Sequence, residues 1–370
     1  MRFFLLLALA LPLSAFQWDF RGELAAYGQS GSETRVGMHY LPLLEAEYPL
    51  TEGISIQAEW SAHLSWGQPI EDFTFERDDV RTKNYRLNAR LQTRQLEVVA
   101  GLQKLNFGPG RILRPLMWFD RLDPTDPLGI ATGVTGLSVS YYFQNLVQVR
   151  LWALESGETK GWEQFPGLEN HLEGGGRLAL PLFGGELGSS AHLRQLDNPG
   201  LFLDASEPLK EIRLALDGFW DVGVGLWFEG TRKEQRTPSE NFTEQVMAML
   251  GGDYTFPLGN GVHFSTEHLI LDFVMHVPPD INMVDPSDTY HITAFMLDYP
   301  VGFFDQVSLI SLYEWEQDQM TTMISWNRAY DHWQFNLTAF DYPDNPAGLT
   351  LGQTTGLGGD GIQLLIVFNH

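Results

Sequence analysis

The segment NYRLNARLQTR, residues 84–94, alternates without a break. Asn84, Arg86, Asn88, Arg90, Gln92 and Arg94 share one face of an extended chain, and Tyr85, Leu87, Ala89, Leu91 and Thr93 share the other. The same period recurs downstream. Ser138, Ser140, Tyr142 and Gln144 alternate with Leu137, Val139, Tyr141 and Phe143. Gln148 and Arg150 alternate with Val147, Val149 and Leu151, and Gln334, Asn336 and Thr338 alternate with Trp333, Phe335, Leu337 and Ala339. No segment carries a convincing helical period. The pattern predicts an all-β chain of about eighteen strands spread over residues 19–370.

Alternation alone does not say which face is inside. A half-buried strand of a soluble sandwich hides its apolar face and wets the charges. A strand of a transmembrane barrel does the reverse, with the apolar face on lipid and the charges in the lumen. The connections separate the two. TEG (51–53), QN (144–145), FGG (183–185), DV (221–222), PLGNG (257–261) and YDH (330–332) are short. Between them fall 67–79, 107–133, 156–170, 197–208, 231–241, 273–288 and 341–360, most of them rich in Pro, Gly and charge. SGSET (30–34) and EQDQ (316–319) break the rule by being short. Short and long connections in alternation are the mark of a membrane barrel with short periplasmic turns and longer outer loops. The fold predicted is an antiparallel up-and-down β-barrel of about 16–18 strands. Arg86, Arg90 and Arg94 then face water inside it, because a charge on the lipid side costs about 2–4 kcal/mol at the midplane. Arg328 shares a face with Ile324 and Trp326 and is expected at the membrane edge.

The N-terminus agrees. MRFFLLLALALPLSA has one cation, Arg2, then an apolar run from Phe3 to Leu13 and small residues after it. This reads as a secretory signal peptide over residues 1–15, followed by a single barrel domain over 16–370. The run is shorter than the roughly 20 apolar residues of a spanning helix. There is no cysteine, so stability must come from packing and topology. A formal charge of −24 excludes nucleic acid held through its phosphates. The aromatic content of 13% suits interfacial girdles at strand ends.

Two segments carry a family resemblance. The last strand, GIQLLIVFNH, puts Ile362, Leu364, Ile366 and Phe368 on one face and resembles the closing strand of bacterial outer-membrane barrels. Its last aromatic lies two residues before His370, a departure from the usual terminal position. LQKLNFGPGRILRPLMWFDRLDPTDPL, residues 102–128, resembles a segment of porin-like outer-membrane proteins. The resemblance implies a channel in the bacterial outer membrane for diffusion of small polar or charged solutes. It also implies that the third outer loop, 107–133, folds inward and constricts the lumen. Leu113, Leu116, Met117, Trp118 and Phe119 of that loop would be poorly placed in water. Arg114, Asp120, Asp123 and Asp126 are its candidate charged groups, and Arg86, Arg90, Arg94, Gln148 and Arg150 are candidate pore-lining residues. Opposed charges across a narrow aqueous gap select on size and charge. Pairing of Arg114 with the aspartates to fold the loop, and plain turn roles within DPTDP, compete with that role. The lumen arginines predict a weak anion preference.

Other chemistries find little footing. No G-x-S-x-G occurs, Glu267 and His268 face opposite sides of a strand, and no histidine pair has zinc-ligand spacing. DINMVDPSD does not match the twelve-residue calcium loop. No reaction and no cofactor are expected, and His332 reads as polar lumen lining. The expected partners are outer-membrane lipid, small solutes and a second copy of the chain. The rival reading is an envelope-assembly or polysaccharide-binding barrel without open conductance, with Trp118, Trp162 and Phe165 offered to sugars from the outer loops.

Overall fold

Eighteen strands form where the period-two alternation runs: β1 (Gln17–Ser30), β2 (Arg35–Thr51), β3 (Ile54–Pro69), β4 (Arg81–Gln92), β5 (Leu96–Gln103), β6 (Val134–Tyr142), β7 (Gln148–Glu155), β8 (Leu172–Leu182), β9 (Gly185–Leu196), β10 (Leu209–Asp221), β11 (Gly225–Arg236), β12 (Phe242–Phe256), β13 (Val262–His276), β14 (Ser287–Pro300), β15 (Asp305–Glu314), β16 (Gln319–Ala329), β17 (Trp333–Asp341) and β18 (Asp360–Asn369). The computed structural model describes residues 16–31, 34–69, 80–120, 130–131, 133–163, 165–197, 208–236, 242–276, 287–343 and 359–370. The expected signal segment, 1–15, lies outside the described residues.

Each strand pairs antiparallel with the next, from Gln17 opposite Glu47 in β1–β2 to Gln334 opposite Val367 in β17–β18. β18 then returns to β1, with Val367 opposite Ala25 and Gln363 opposite Gln29. The sheet is a closed ring, so among the described residues no strand is left as an open edge. Connections at one end are short: 52–53, 93–95, 143–147, 183–184, 222–224, 257–261, 301–304 and 330–332. Those at the other end include 104–133, 156–171, 197–208 and 342–359. The alternation of loop lengths is therefore real, with 31–34 and 315–318 the short exceptions at the long-loop end.

Burial fixes the faces. In β10, Glu211, Arg213, Ala215 and Asp217 are buried within the barrel, while Ile212, Leu214 and Leu216 are exposed outside. In β4, Arg86 and Asn88 are buried and Leu87 is exposed. Exposed leucines continue around the outside, among them Leu151, Leu193, Leu226, Leu250, Leu337 and Leu364. Phe143, Phe183, Phe256, Phe304, Tyr330 and Trp333 stand exposed beside the short turns. An apolar outer band with aromatics at its border is the surface a bilayer requires.

One register differs from the simple alternation. Ser61 pairs with Arg86 but Ala62 pairs with Asn84, so Tyr85 is the extra residue of a bulge. Beyond it the faces exchange: Lys83, opposite His63, takes the inward place expected of Asn84. The Arg86 guanidinium folds back over the Tyr85 ring, 4.0 Å from its centroid.

Face assignment has a direct check. Leu214→Arg, on the outer face of β10, is expected to remove about 2–4 kcal/mol of folding free energy in bilayers. Ser325→Arg, on the inner face of β16, is expected to fold like the parent. Urea titration of vesicle-inserted protein, read by tryptophan fluorescence, measures both.

Candidate functional site

After Gln103 the chain leaves β5 and runs through the barrel interior. Its apolar side chains seat against the wall. Ile112 and Leu113 pack with Trp227, Met247, Met249, Leu269, Leu271, Ile292, Ala294 and Leu312 of β11–β15. Leu116, Trp118 and Phe119 pack with Leu105, Val134, Trp152, Leu154 and Ala215. Leu113 and Leu116 are almost wholly buried. Each contributes about 1.5–3 kcal/mol, which is why this segment does not stay in solvent. It also explains why the inward faces of β12–β14 are greasy: they are the seat of a strap across the lumen.

A strap without regular structure has unpaired backbone N–H groups, which must find acceptors once buried. Two glutamates on the opposite wall supply them. Glu267 of β13 accepts from the backbone of Arg111 at 2.7 Å, Ile112 at 3.0 Å and Leu113 at 2.5 Å. The indole N–H of Trp227 also donates to it, at 3.0 Å. Glu229 of β11 accepts from Gly110 at 2.6 Å and Leu116 at 2.8 Å. Three successive amides converging on one carboxylate form an anion-binding nest, here filled by the protein's own wall. The glycines of FGPG make the approach feasible. Gly108 has a φ of +94°, and a side chain at Gly108 or Gly110 would run into the Glu229 carboxylate.

The next outer connection braces the strap. Trp162 donates its indole N–H to the carbonyl of Arg114 at 2.8 Å. Beside it, Glu163 sits between Arg194 at 2.9 Å and Arg213 at 2.6 Å. Both arginines also pair with Glu211, at 2.5 and 2.7 Å, and Gln235 donates to the same carboxylate at 2.5 Å. Lys233 reaches the carbonyl of Trp162 at 3.3 Å. Removing one member of such a buried network leaves an uncompensated charge and costs about 3–5 kcal/mol.

The residues singled out in the sequence are distributed unevenly around this site. Arg86 points inward but is covered, donating to the carbonyls of Tyr85 at 2.5 Å and Ala131 at 3.5 Å. Arg90 is inward, half-buried and 4.0 Å from Glu97. Arg94 is not on the wall: β4 ends at Gln92, and Arg94 lies in the β4–β5 turn near Gly53. Gln148 and Arg150 are inward on β7, and Arg150 Nε donates to Ser140 Oγ at 2.8 Å. Arg114 and Asp120 are both buried, 3.8 Å apart. Burial pushes the Asp120 carboxyl up, against the pull of Arg114, Lys104 and Arg86. Asp123 and Asp126 lie outside the described residues.

Three expectations on other groups need correcting. Trp118 is 5% exposed, Trp162 packs on the interior cluster and Phe165 on Leu196 and Leu209, so none is a platform on the outer surface. His332 lies in the β16–β17 turn, with Nδ1 3.0 Å from the Asn369 carbonyl oxygen, not in the lumen. Among the described residues a buried basic cluster lies on β9–β11 rather than on β4: Arg194, Arg213 and Lys233. It was readable in the alternation of HLRQL and EIRLALD. Glu229 and Glu267 carried no comparable signal, because their inward faces also hold Thr231, Lys233 and Gln235 on β11 and Ser265 on β13. Among the described residues, no group of three or more His, Asp and Glu side chains is placed to hold a metal.

The carboxylate anchors can be tested singly. Glu267→Gln keeps the side-chain shape but turns one acceptor into a donor facing N–H groups. A hydrogen bond to a charged group contributes about 1.5–3 kcal/mol. The variant is expected to fold as a heat-modifiable barrel yet show new proteolytic cleavage within 107–118.

No protein-family model matches the sequence, and no curated protein matches it. Solved structures do share its fold. An anion-selective porin from Comamonas acidovorans aligns over 96% of this chain and 100% of its own, with a TM-score of 0.55 at 11% identity. OccD3 (OpdP) of Pseudomonas aeruginosa aligns over 95% and 91%, with a TM-score of 0.58 at 9% identity. OccK3 (OpdO) of the same organism aligns over 96% and 96%, with a TM-score of 0.58 at 10% identity. Closed ring, apolar outer band and these neighbours together give the chain the fold of the bacterial outer-membrane porins.

Proposed function

We propose that the chain is a porin-like channel of the bacterial outer membrane through which small polar solutes diffuse, narrowed by the strap at 104–120. The observation that carries this reading is the one-sided anchoring of the strap. It is fixed to β11 and β13, and it packs on β6–β15. The inward faces of β15–β17 keep wetted polar groups: Ser308, Ser325, Asn327, Gln334 and Asn336. Water-lined wall opposite a rigid constriction is what passive selection by size requires. No catalytic group takes part in this reading.

The charge pattern revises the expected ion preference. Arg86 is covered by 131, Arg94 sits at a turn, and Arg177, Arg194 and Arg213 are each held by carboxylates. On β1–β3, Asp19, Glu45 and Glu59 stand directly opposite one another, with Arg21 paired to Asp19 and Glu45. Three carboxylates against one arginine favour cations on the open wall.

Planar-bilayer recording tests both statements. Steady conducting steps are expected, with a reversal potential of weakly cation-selective sign in a salt gradient. Releasing the strap by Glu229→Gln with Glu267→Gln is expected to raise the unit conductance by about half or more. A silent, correctly folded barrel would overturn the channel reading, and an anion-directed reversal potential would overturn the charge argument.

A further inference from the structure

A recess of about 240 Å³ opens beside the strap, against the inner wall of β7–β10. Its charged lining is Arg150, Arg177, Glu186 and Asp217, with Gln148 and the Phe107 ring completing the walls. Two guanidiniums and two carboxylates leave it formally neutral. The two pairs differ in how far they are committed.

Arg177 and Asp217 form the floor. Their contact is bidentate, at 2.5 and 2.7 Å, and their side chains are 9% and 4% exposed. Ser190 Oγ accepts from Arg177 at 3.2 Å, and the guanidinium lies 5.2 Å from the Phe107 centroid. Gly188 supplies the space, because a side chain there would collide with that guanidinium. Arg177 is thus locked and its charge neutralised in place.

Arg150 and Glu186 are the open pair. Arg150 stands directly opposite Arg177 in the β7–β8 register. Its Nε is held by Ser140, which orients the fork, and among the described residues its terminal nitrogens meet no carboxylate. The Glu186 side chain is 59% exposed, and its nearest cation is Arg177 at 3.6 Å, too long for a hydrogen bond. The recess therefore offers one free guanidinium edge and one exposed carboxylate held only loosely by Arg177 at 3.6 Å, over a floor with no net charge.

We infer that this recess is a subsite for small zwitterions, solutes with a carboxylate and an ammonium a few bonds apart. The inference rests on the channel reading for its role in transport, but not for binding itself. The carboxylate pairs with the Arg150 fork, whose geometry suits bidentate contact. The ammonium pairs with Glu186. A simple anion would bring its charge beside Glu186 and Asp217, and a simple cation would bring its charge beside Arg150 and Arg177. A neutral solute would leave both open groups without an ionic partner. Binding at such a wetted site is weak, which a diffusion channel needs if the solute is to leave.

Glycine, acetate and methylammonium are the probes. Saturation-transfer NMR on the folded barrel in detergent reads binding without any need for conductance. Glycine is expected to saturate, at a concentration about tenfold or more below acetate or methylammonium. Arg150→Gln and Glu186→Gln are each expected to weaken glycine about tenfold, with the heat-modifiable fold retained. In bilayers, glycine is expected to block the ion current of the parent and not of either variant. Equal saturation by acetate would make the recess a plain anion site and overturn the proposal. So would glycine binding that both variants leave unchanged, or no glycine binding at all. A barrel that binds glycine yet never conducts would overturn the channel reading and leave the zwitterion subsite standing.

Discussion

Five buried backbone N–H groups of the strap depend on two wall carboxylates. Without Glu229 and Glu267 the segment from Gly110 to Leu116 would have to leave those donors unpaired inside the barrel, at about 1–3 kcal/mol for each. The apolar contacts of Ile112 and Leu113, about 1.5–3 kcal/mol each, fall short of that sum over most of its range. The arrangement reverses the usual placement of charge. The carboxylates are not in the lumen to meet a solute. They are there to receive the chain, and the strap then decides how much lumen a solute meets.

This priority explains several features that look unrelated. Methionines, leucines and an isoleucine line β12–β14 inside because the strap needs a seat. Glycines recur at 108 and 110 because the backbone must touch the Glu229 carboxylate. Trp162 and Glu163 reach in from a different connection, and the arginines of β9 and β10 hold Glu163 there. The interior on the β6–β14 side is thus largely filled, apart from the recess against β7–β10. The aqueous side is left to β15–β18 and β1–β4, where hydroxyls, amides and exposed charges return.

Much of the fold was legible in the sequence because period two and loop length are both written locally. Eighteen strands and the inward direction of Arg86, Asn88, Ser138 and Gln334 follow from alternation. The bulge at Tyr85 was not legible, since one extra residue leaves the polar–apolar rhythm of its own strand intact and shows only in the partner's register. The inward fold of 107–119 could be expected from its leucines and tryptophan. Its anchors could not, because Glu229 and Glu267 lie on strands far along the chain, and nothing in their neighbourhoods names what they hold. The basic wall was misplaced for a different reason. Three arginines in eleven residues stand out in and just after β4, while Arg194, Arg213 and Lys233 are spread one to a strand and meet only when β9, β10 and β11 pair.

The distance between the strap and its anchors also orders events during assembly. Gly110 waits for a carboxylate 119 residues later, and Arg111 for one 156 residues later. Contacts of such separation form late, after the strands that carry both partners have been brought together. The strap therefore has no anchor until β11 and β13 are in place, and the width of the bore is set by strands far along the chain from the segment that narrows it.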